Sequence, residues 1–266
     1  MIRVPREFNP DAPVLLVSIG NTNTALAMWG KDEVSRVVAV PTGQAAAFND
    51  ALAALVETFP HGGPAASVIA SVVPAALAAL RERLDEVFDR VPLVLGEQVA
   101  LPIDVDLDDP TTVGMDRVCG AAAAFDRLRR SCVVVSFGTA VTVDLVNDDG
   151  AFAGGAILPG VRMQLAALHD RAAQLPHVEP AFPKNVIGRT TAEAMQNGVC
   201  RGLAGSVRWL VEAYATELHA WPQVVATGGD AVFMAPHCDF LDNVVPDLAL
   251  RGLGLAYQKH LARMGV

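Results

Sequence analysis

Residues 14–28 read VLLVSIGNTNTALAM, which is an apolar run, a Gly-Asn-Thr turn and a second apolar run. This pattern predicts a β-hairpin, because a Gly-Asn turn between two strand-like runs reverses the chain. The same shape returns at residues 132–145 as CVVVSFGTAVTVDL, and Val-Ser-X-Gly occurs in both copies. Two copies of one hairpin indicate a duplicated fold with two halves.

Both turns have the features of an anion site. A turn built on glycine lets backbone N–H groups approach a phosphate closely, with no bulky side chain between them. Most Gly-Asn turns only reverse the chain, so the prediction depends on the repeat at a domain-sized interval. We expect the two turns to bind a phosphate chain from both sides.

Composition narrows the class of protein. A chain of 266 residues with 52% hydrophobic residues can bury a substantial core, and its net charge of -9 argues against a nucleic-acid or acidic-membrane partner. We predict no membrane span and no signal peptide, because no long uncharged apolar run is present, and therefore a cytoplasmic location. The four cysteines have no metal-site spacing and are expected to be buried reduced thiols: Cys119, Cys132, Cys200 and Cys238.

The order of predicted elements indicates an α/β fold. Further strands are expected over residues 34–40, 66–71, 94–95, 103–105, 151–157 and 223–227, and helices over 44–59, 72–90, 118–129, 161–174, 190–219 and 248–264. This β-β-β-α-β-α-β order, which the second half repeats, is typical of mixed sheets covered by helices. We expect an N-terminal lobe over 14–130 and a C-terminal lobe over 131–266, with 1–13 as an extension.

Four loops carry residue types that a packed core does not demand: 18–24, 114–117, 136–139 and 227–230. They can converge if the two halves face each other across a cleft. Two interpretations of Asp116 are open: a general base for a substrate hydroxyl, with Arg117 holding an anionic group, or a charge that favours a helix N-terminus. Gly228 and Gly229 can lie against a planar base, or can simply turn the chain towards a helix that Asp230 caps.

Taken together, the motifs resemble those of type III pantothenate kinases. The resemblance rests on Ile19-Gly20-Asn21-Thr22, Gly114-Met115-Asp116-Arg117, Gly138-Thr139-Ala140 with Thr142 and Asp144, Gly154-Gly155 through Pro159-Gly160, Gly188-Arg189-Thr190-Thr191, and Thr227-Gly228-Gly229-Asp230-Ala231. It implies a duplicated actin/hexokinase-like (ribonuclease H-like) fold with two mixed-sheet lobes around a cleft. It also implies a homodimer that uses ATP to convert pantothenate to 4'-phosphopantothenate, the first step towards coenzyme A.

The resemblance assigns roles to residues of this chain. It implies that ATP is bound by the two hairpins and the late glycine pair: Ser18, Gly20, Asn21, Thr22, Asn23, Thr24, Gly138, Thr139, Gly228 and Gly229. It implies that pantothenate is bound by Gly114, Met115, Asp116, Arg117 and Thr191, with Asp116 as the catalytic proton acceptor.

Two positions depart from the family pattern. The family has aspartates where this chain has Ser18, at the Mg-ATP position, and Ser136, at the monovalent-cation position. The family uses Mg²⁺ and K⁺ or NH₄⁺, so the loss of both carboxylates weakens the expected anchors for these cations. In a hairpin turning near Thr139 and Ala140, Asp144 is expected to lie roughly opposite Ser136 and to approach a cation there.

Three functional hypotheses remain open at this point. The first is an active pantothenate kinase with altered cation dependence, which the retained Asp116 and Arg117 favour. The second is a non-catalytic paralogue that binds nucleotide or a pantothenate-like metabolite as a sensor or regulator, which Ser18 and Ser136 favour. The third is another kinase or phosphatase of the superfamily, which explains the hairpins but not residues 114–117 followed by 188–191.

Overall fold

A computed structural model describes residues 13–59 and 63–265, and contacts within them divide into two compact units. The first contains β1 (Val14–Ile19), β2 (Asn23–Gly30), β3 (Glu33–Pro41), α1 (Ala45–Val56), β4 (Ser67–Ser71), α2 (Pro74–Phe88), β5 (Leu93–Val94) and α3 (Met115–Leu128). Next along the chain are β6 (Cys132–Phe137), β7 (Ala140–Val146), β8 (Phe152–Pro159), α4 (Val161–Arg171), α5 (Thr191–Gln196), α6 (Gly202–Glu217), β9 (Gln223–Thr227), α7 (Ala231–Met234), β10 (Asn243–Val244) and α8 (Leu248–Met264).

The two sheets have the same topology. Among the described residues, the first sheet has the strand order β3-β2-β1-β4-β5 and the second β8-β7-β6-β9-β10. In each, the leading strand pairs antiparallel with the next strand and parallel with the strand that follows a helical crossover. The duplicated α/β fold expected from the two hairpins is therefore confirmed.

The first sheet is covered by helices on both faces, because residues along β1 alternate between two buried sides. Leu15, Val17 and Ile19 pack with residues of α1 and α2. Leu16 faces the other way and packs with Cys119 of α3 and with Leu250, Leu253 and Tyr257 of α8. The closing helix therefore completes the core of the first unit.

The second sheet buries one face under α4 and α6. The odd-numbered residues of β6, which include Val133, Val135 and Phe137, pack with Leu165 of α4 and with Leu203 and Val207 of α6. The even-numbered residues, Ser136 among them, lie on the opposite face. This alternation decides which face of the sheet carries the polar residues of the site.

A unit boundary and one local element differ from the sequence prediction. The unit that begins at Arg127 ends at Pro246, and residues from Asp247 onward group with the first unit because α8 packs on its sheet. The predicted C-terminal lobe instead covers 131–266, and the predicted extension 1–13 lies, apart from residue 13, outside the described residues. Residues 103–105 belong to no strand of either sheet.

Within the described ranges, no helix is both long and apolar enough to span a bilayer.

Candidate active site

The first hairpin is closed by a narrow turn at residues 20–23. The Gly20 N–H donates to the carbonyl of Asn23 at 3.0 Å, and a Cβ on Gly20 would lie only 3.1 Å from that oxygen. Glycine therefore lets the turn close this tightly, since a larger residue would crowd that carbonyl oxygen. The side chains of residues 21–23 are exposed. The turn can thus present side-chain donors and nearby backbone to an anion.

A residue that the sequence analysis missed, Thr42, holds this turn in place. Its hydroxyl donates to the Gly20 carbonyl at 2.7 Å, and its backbone N–H donates to the Thr22 carbonyl at 2.9 Å. Because the Thr42 hydroxyl proton is used in this way, the Thr24 hydroxyl donates to the Thr42 oxygen across 2.9 Å. Thr24 is buried and stabilises the turn through this hydrogen bond; its predicted contact with the ATP phosphates stays a prediction.

The Gly114–Arg117 motif forms the first turn of α3. Asp116 is exposed, and its Oδ1 accepts a hydrogen bond from the Arg117 N–H at 3.0 Å. A Cβ on Gly114 would lie 2.7 Å from the same oxygen, so glycine makes room for the carboxylate. A carboxylate in the first turn of a helix is also favoured by the exposed N–H groups there. The motif therefore offers an accessible carboxylate with a fixed orientation.

Val72 brings this motif beside the first hairpin. Its backbone N–H donates to the Ile19 carbonyl at 3.0 Å, directly before the Gly20 turn. One of its methyl groups lies 3.4 Å from the position of a Cβ on Gly114. Within the first unit, the side chain of Val72 thus lies between the Gly20 turn and the Gly114 motif, which are two of the predicted site segments.

The loop before Gly114 is fixed by Asp109. Its Oδ1 accepts from the Thr111 hydroxyl at 2.6 Å and from the Thr111 backbone N–H at 3.0 Å. These hydrogen bonds stabilise the charged carboxylate and lower the pKa of Asp109 below its ordinary value. They cap the short 3-10 turn Pro110–Thr112 that leads into α3.

The second hairpin turns at residues 138–140 and is in contact with Gly160. The Gly138 N–H donates to the Ala140 carbonyl at 3.1 Å, and the Gly160 N–H donates to the Thr139 carbonyl at 2.9 Å. A Cβ on Gly160 would overlap the Gly138 carbonyl oxygen and lie 2.6 Å from that of Thr139. The start of α4 therefore supports the back of this turn.

The Gly228 loop contacts the same hairpin from β9. The Asp230 N–H donates to the Phe137 carbonyl at 3.0 Å. Gly228 has a φ of 93°, and a Cβ there would overlap the Phe137 carbonyl oxygen, so two independent constraints select glycine. Gly229 is exposed. Asp230 occupies the N-cap position of α7, but its side chain makes no capping hydrogen bond.

Ser136 lies in a row of hydroxyls across the second sheet. It pairs with Thr142 on one side and Thr227 on the other. Asp144 is buried and pairs with Val134, and its Oδ2 accepts from the Thr142 hydroxyl at 2.8 Å. The expectation that Asp144 lies opposite Ser136 is wrong by two residues, because the turn is centred on Thr139. Asp144 is on the same face, one row further from the turn.

The two serines therefore have different surroundings. Ser18 pairs with Ala25 and Ala70, so these neighbours supply no carboxylate. Mg²⁺ is usually held through one or two carboxylates in addition to phosphate oxygens, so this strand end does not fit a Mg²⁺ anchored by the protein. Around Ser136, by contrast, hydroxyl oxygens and the Asp144 carboxylate share one face. That set has the oxygen chemistry that a hard monovalent cation requires.

Thr191 is exposed at the first position of α5, in the second unit. The preceding Thr190 caps this helix, since its hydroxyl accepts from the Glu193 N–H at 3.2 Å and Glu193 in turn accepts from the Thr190 N–H. α5 packs on α4, the helix that begins beside the second hairpin.

Comparisons with known proteins agree with this architecture. MreB 5 of Spiroplasma citri, solved with bound AMPPNP, superposes with a TM-score of 0.53 at 10% identity and covers 96% of this chain and 99% of its own. A type III pantothenate kinase from Ruegeria sp. (strain TM1040) is 38% identical over 90% of this chain and 94% of its own. Another type III pantothenate kinase, from Geobacillus kaustophilus, is 34% identical over 95% of this chain and 100% of its own. The sequence model of the family described as type III pantothenate kinase matches residues 14–213.

The duplicated sheets with a glycine hairpin at each leading strand define a fold of the actin/hexokinase-like class. Within that class, similarity to curated members extends over almost the whole length of both sequences. The chain belongs to the type III pantothenate kinase family. The family prediction made from the ordered motifs is confirmed.

Proposed function

We propose that this chain transfers the γ-phosphoryl group of ATP to the hydroxyl of pantothenate. The observation that carries the proposal is the exposed Asp116 carboxylate, oriented at the start of α3 in a chain of this family. Asp116 accepts the proton of the attacking hydroxyl as the new oxygen–phosphorus bond forms. The bond between the γ-phosphorus and the β,γ-bridging oxygen breaks, and ADP leaves.

Binding of ATP is assigned to the two hairpin turns. Their N–H groups and exposed hydroxyls bind the phosphates, and Gly228 with Gly229 presents backbone to the adenine ring. Arg117 binds the carboxylate of pantothenate, because a guanidinium matches a carboxylate in geometry and charge. Thr191 provides a further hydroxyl for pantothenate. Phosphoryl transfer depends mainly on such positioning and on charge stabilisation.

The proposal gives the monovalent cation ligands from the protein, but it gives none to Mg²⁺. The hydroxyl row of Ser136, Thr142 and Thr227, with Asp144, is assigned to a K⁺ or NH₄⁺ ion, which supplies positive charge near the phosphates when bound. Ser18 provides no carboxylate ligand for Mg²⁺, so Mg²⁺ binds to this protein only as part of the Mg-ATP complex. We also assign the chain to a homodimer in the cytoplasm that acts in coenzyme A synthesis, as expected of the family.

The test is a coupled assay of ADP release with pantothenate, with and without Mg²⁺ and with K⁺, NH₄⁺ or neither. Turnover in the unmodified chain that disappears in Asp116→Asn supports the proposal. Turnover that appears only in the double variant Ser18→Asp/Ser136→Asp refutes it and favours the non-catalytic alternative. Size-exclusion chromatography with light scattering measures the oligomeric state in the same samples.

A further inference from the structure

The loop from 176 to 187 joins α4 to the Gly188–Thr191 segment without secondary structure of its own. Within the described part of the chain, these residues make no backbone-to-backbone hydrogen bond. Three of them are prolines, which lack a backbone N–H: Pro176, Pro180 and Pro183. A loop of this length is expected to move unless other groups hold it.

Side chains of the following helical segment hold this loop at intervals. Gln196 donates to the Glu179 carbonyl at 2.9 Å. Asn197 is buried and donates to two successive carbonyls, those of Asn185 and Val186, each at 2.9 Å. These hydrogen bonds replace the backbone pairing that the loop lacks.

Arg201 makes the next attachment. Its Nη2 donates to the Pro183 carbonyl at 2.9 Å, while its Nε donates to the Asn197 Oδ1 at 2.9 Å. The guanidinium carbon also lies 5.9 Å from the centre of the Phe182 ring. Cys200 adds a weaker contact: burial raises the pKa of its thiol, and a hydrogen bond from the Ala181 backbone offsets part of that rise.

These side chains share one face of the helical segment. Positions 196 and 200, and positions 197 and 201, are four residues apart, so they lie above one another on a helix. The backbone over Asn197–Arg201 forms a π-helical turn between α5 and α6. Turns of this kind in a longer helix are rare and frequently occur at functional sites.

Phe182 packs the middle of the loop against the core of the second unit. Its ring stacks on His237 with centroids 3.5 Å apart and packs on Phe233 at 5.1 Å. The loop is therefore held both by hydrogen bonds to its carbonyls and by one partly buried aromatic side chain.

The held loop leads directly into the Thr191 motif. Gly188 packs so closely on α5 that a Cβ would lie 2.5 Å from the Ala194 nitrogen, and the Arg189 N–H donates to Glu193 at 2.8 Å. We propose that Asn197 and Arg201 are positioning residues: by binding the carbonyls of residues 183, 185 and 186, they fix residues 188–191 for contact with pantothenate. This inference rests on the proposed function, since Thr191 is assigned to pantothenate there.

The experiment compares Arg201→Met with Arg208→Met. Both replace an arginine by an unbranched side chain of similar length, but Arg208 lies two turns further along α6 and pairs with Glu212 and Asp239 instead of the loop. We expect Arg201→Met to raise the pantothenate KM about 10-fold or more and to leave the ATP KM within about twofold. Arg201→Lys retains the charge but not the forked geometry and is expected to give an intermediate rise.

A second readout does not depend on activity. Lys184 is exposed in the loop, so trypsin cleavage after it, followed by intact-mass analysis, reports loop opening. We expect cleavage after Lys184 to be about 10-fold faster in Arg201→Met than in Arg208→Met or the unmodified chain, at temperatures where all three are folded by circular dichroism. If Arg201→Met does not fold, Arg201→Lys and Gln196→Ala take its place in both measurements.

The outcomes separate this inference from the proposed function. An unmodified chain that does not phosphorylate pantothenate overturns the proposed function, and the trypsin rates then decide alone whether Arg201 holds the loop. An active chain in which the Arg201 variants keep the pantothenate KM overturns the positioning role. Equal rises in the pantothenate KM and the ATP KM also overturn it, because they indicate general loosening of the unit.

Discussion

Replacing Gly160 with alanine is the most direct test of how the second hairpin is supported. The residue has a φ of -68°, which alanine adopts without strain, so the added methyl group acts only through contact. That methyl group would overlap the Gly138 carbonyl oxygen and lie 2.6 Å from the Thr139 carbonyl oxygen. Relief requires the turn to move by about 1 Å, since carbon and oxygen atoms rest more than 3 Å apart. Crowding of this kind costs about 1–3 kcal/mol of stability.

The functional consequence follows from the same displacement. A shift of about 1 Å in a phosphate-binding turn is expected to lower kcat/KM for ATP about 10- to 100-fold. Gly205→Ala, on α6, is the matched control, because nothing lies within 4 Å of a Cβ there, and it is expected to stabilise the chain by about 1 kcal/mol. In Gly160→Ala, both the urea midpoint and kcat/KM for ATP should therefore fall, whereas in Gly205→Ala the urea midpoint should rise and the ATP kinetics should stay unchanged. Equal stability and equal ATP kinetics in Gly160→Ala and the unmodified chain would refute the reasoning.

Four further outcomes are expected. Asp116→Asn should lower kcat about 100- to 10,000-fold with little change in the ATP KM in the coupled assay, and a kcat near that of the unmodified chain excludes a general base at this position. Ser18→Asp/Ser136→Asp should raise Mg²⁺-dependent turnover about 10-fold, corresponding to about 1.4 kcal/mol of transition-state stabilisation. Unchanged turnover contradicts the idea that the unmodified chain lacks carboxylate ligands for the cations. Asp144→Asn should abolish stimulation by K⁺ or NH₄⁺, and stimulation that survives places the cation elsewhere. Burial raises the pKa of the Cys132 thiol from 9.0 to about 12, so as the pH rises the unfolded chain loses the thiol proton before the folded chain does. The contribution of this thiol to the free energy of unfolding is therefore complete below about pH 9 and is lost as the pH rises towards 12. The urea midpoint should fall between about pH 8 and 10.5 less steeply in Cys132→Ala than in the unmodified chain.

Local patterns in the sequence predicted most of the elements well. The apolar run and glycine turn define the first hairpin because both strands and the turn are adjacent in the chain. α8 was predicted over its full length, Leu248–Met264, from its periodicity. Periodicity identifies the buried face of a helix but not the sheet that covers it, so the placement of α8 on the first sheet was not predictable. Residues 103–105 have strand-like composition but form no strand of either sheet, and Val105 makes only an isolated bridge, because composition does not specify a partner strand.

The sequence supports predictions of site residues where glycine or charge appears in a motif, and these stay predictions; it does not reveal where distant side chains meet. Thr42 was missed because its bonds to Gly20 and Thr24 depend on β3 lying beside the hairpin. The Asp144 register was misjudged by two residues because turn length is not evident from Gly-Thr-Ala alone. The contacts of Asn197 and Arg201 were missed because a π-helical turn has no clear sequence pattern.

The position of α8 has a consequence for how the protein is made. Residues 127–246 are continuous, so this portion can complete its core while the ribosome is still adding the end of the chain. The other sheet must wait, since Leu250, Leu253 and Tyr257 cover Leu16 and Val68 only after they are synthesised. Until then this apolar face of the first sheet remains exposed to water. A chain that ends before residue 248 cannot cover it and is therefore expected to aggregate.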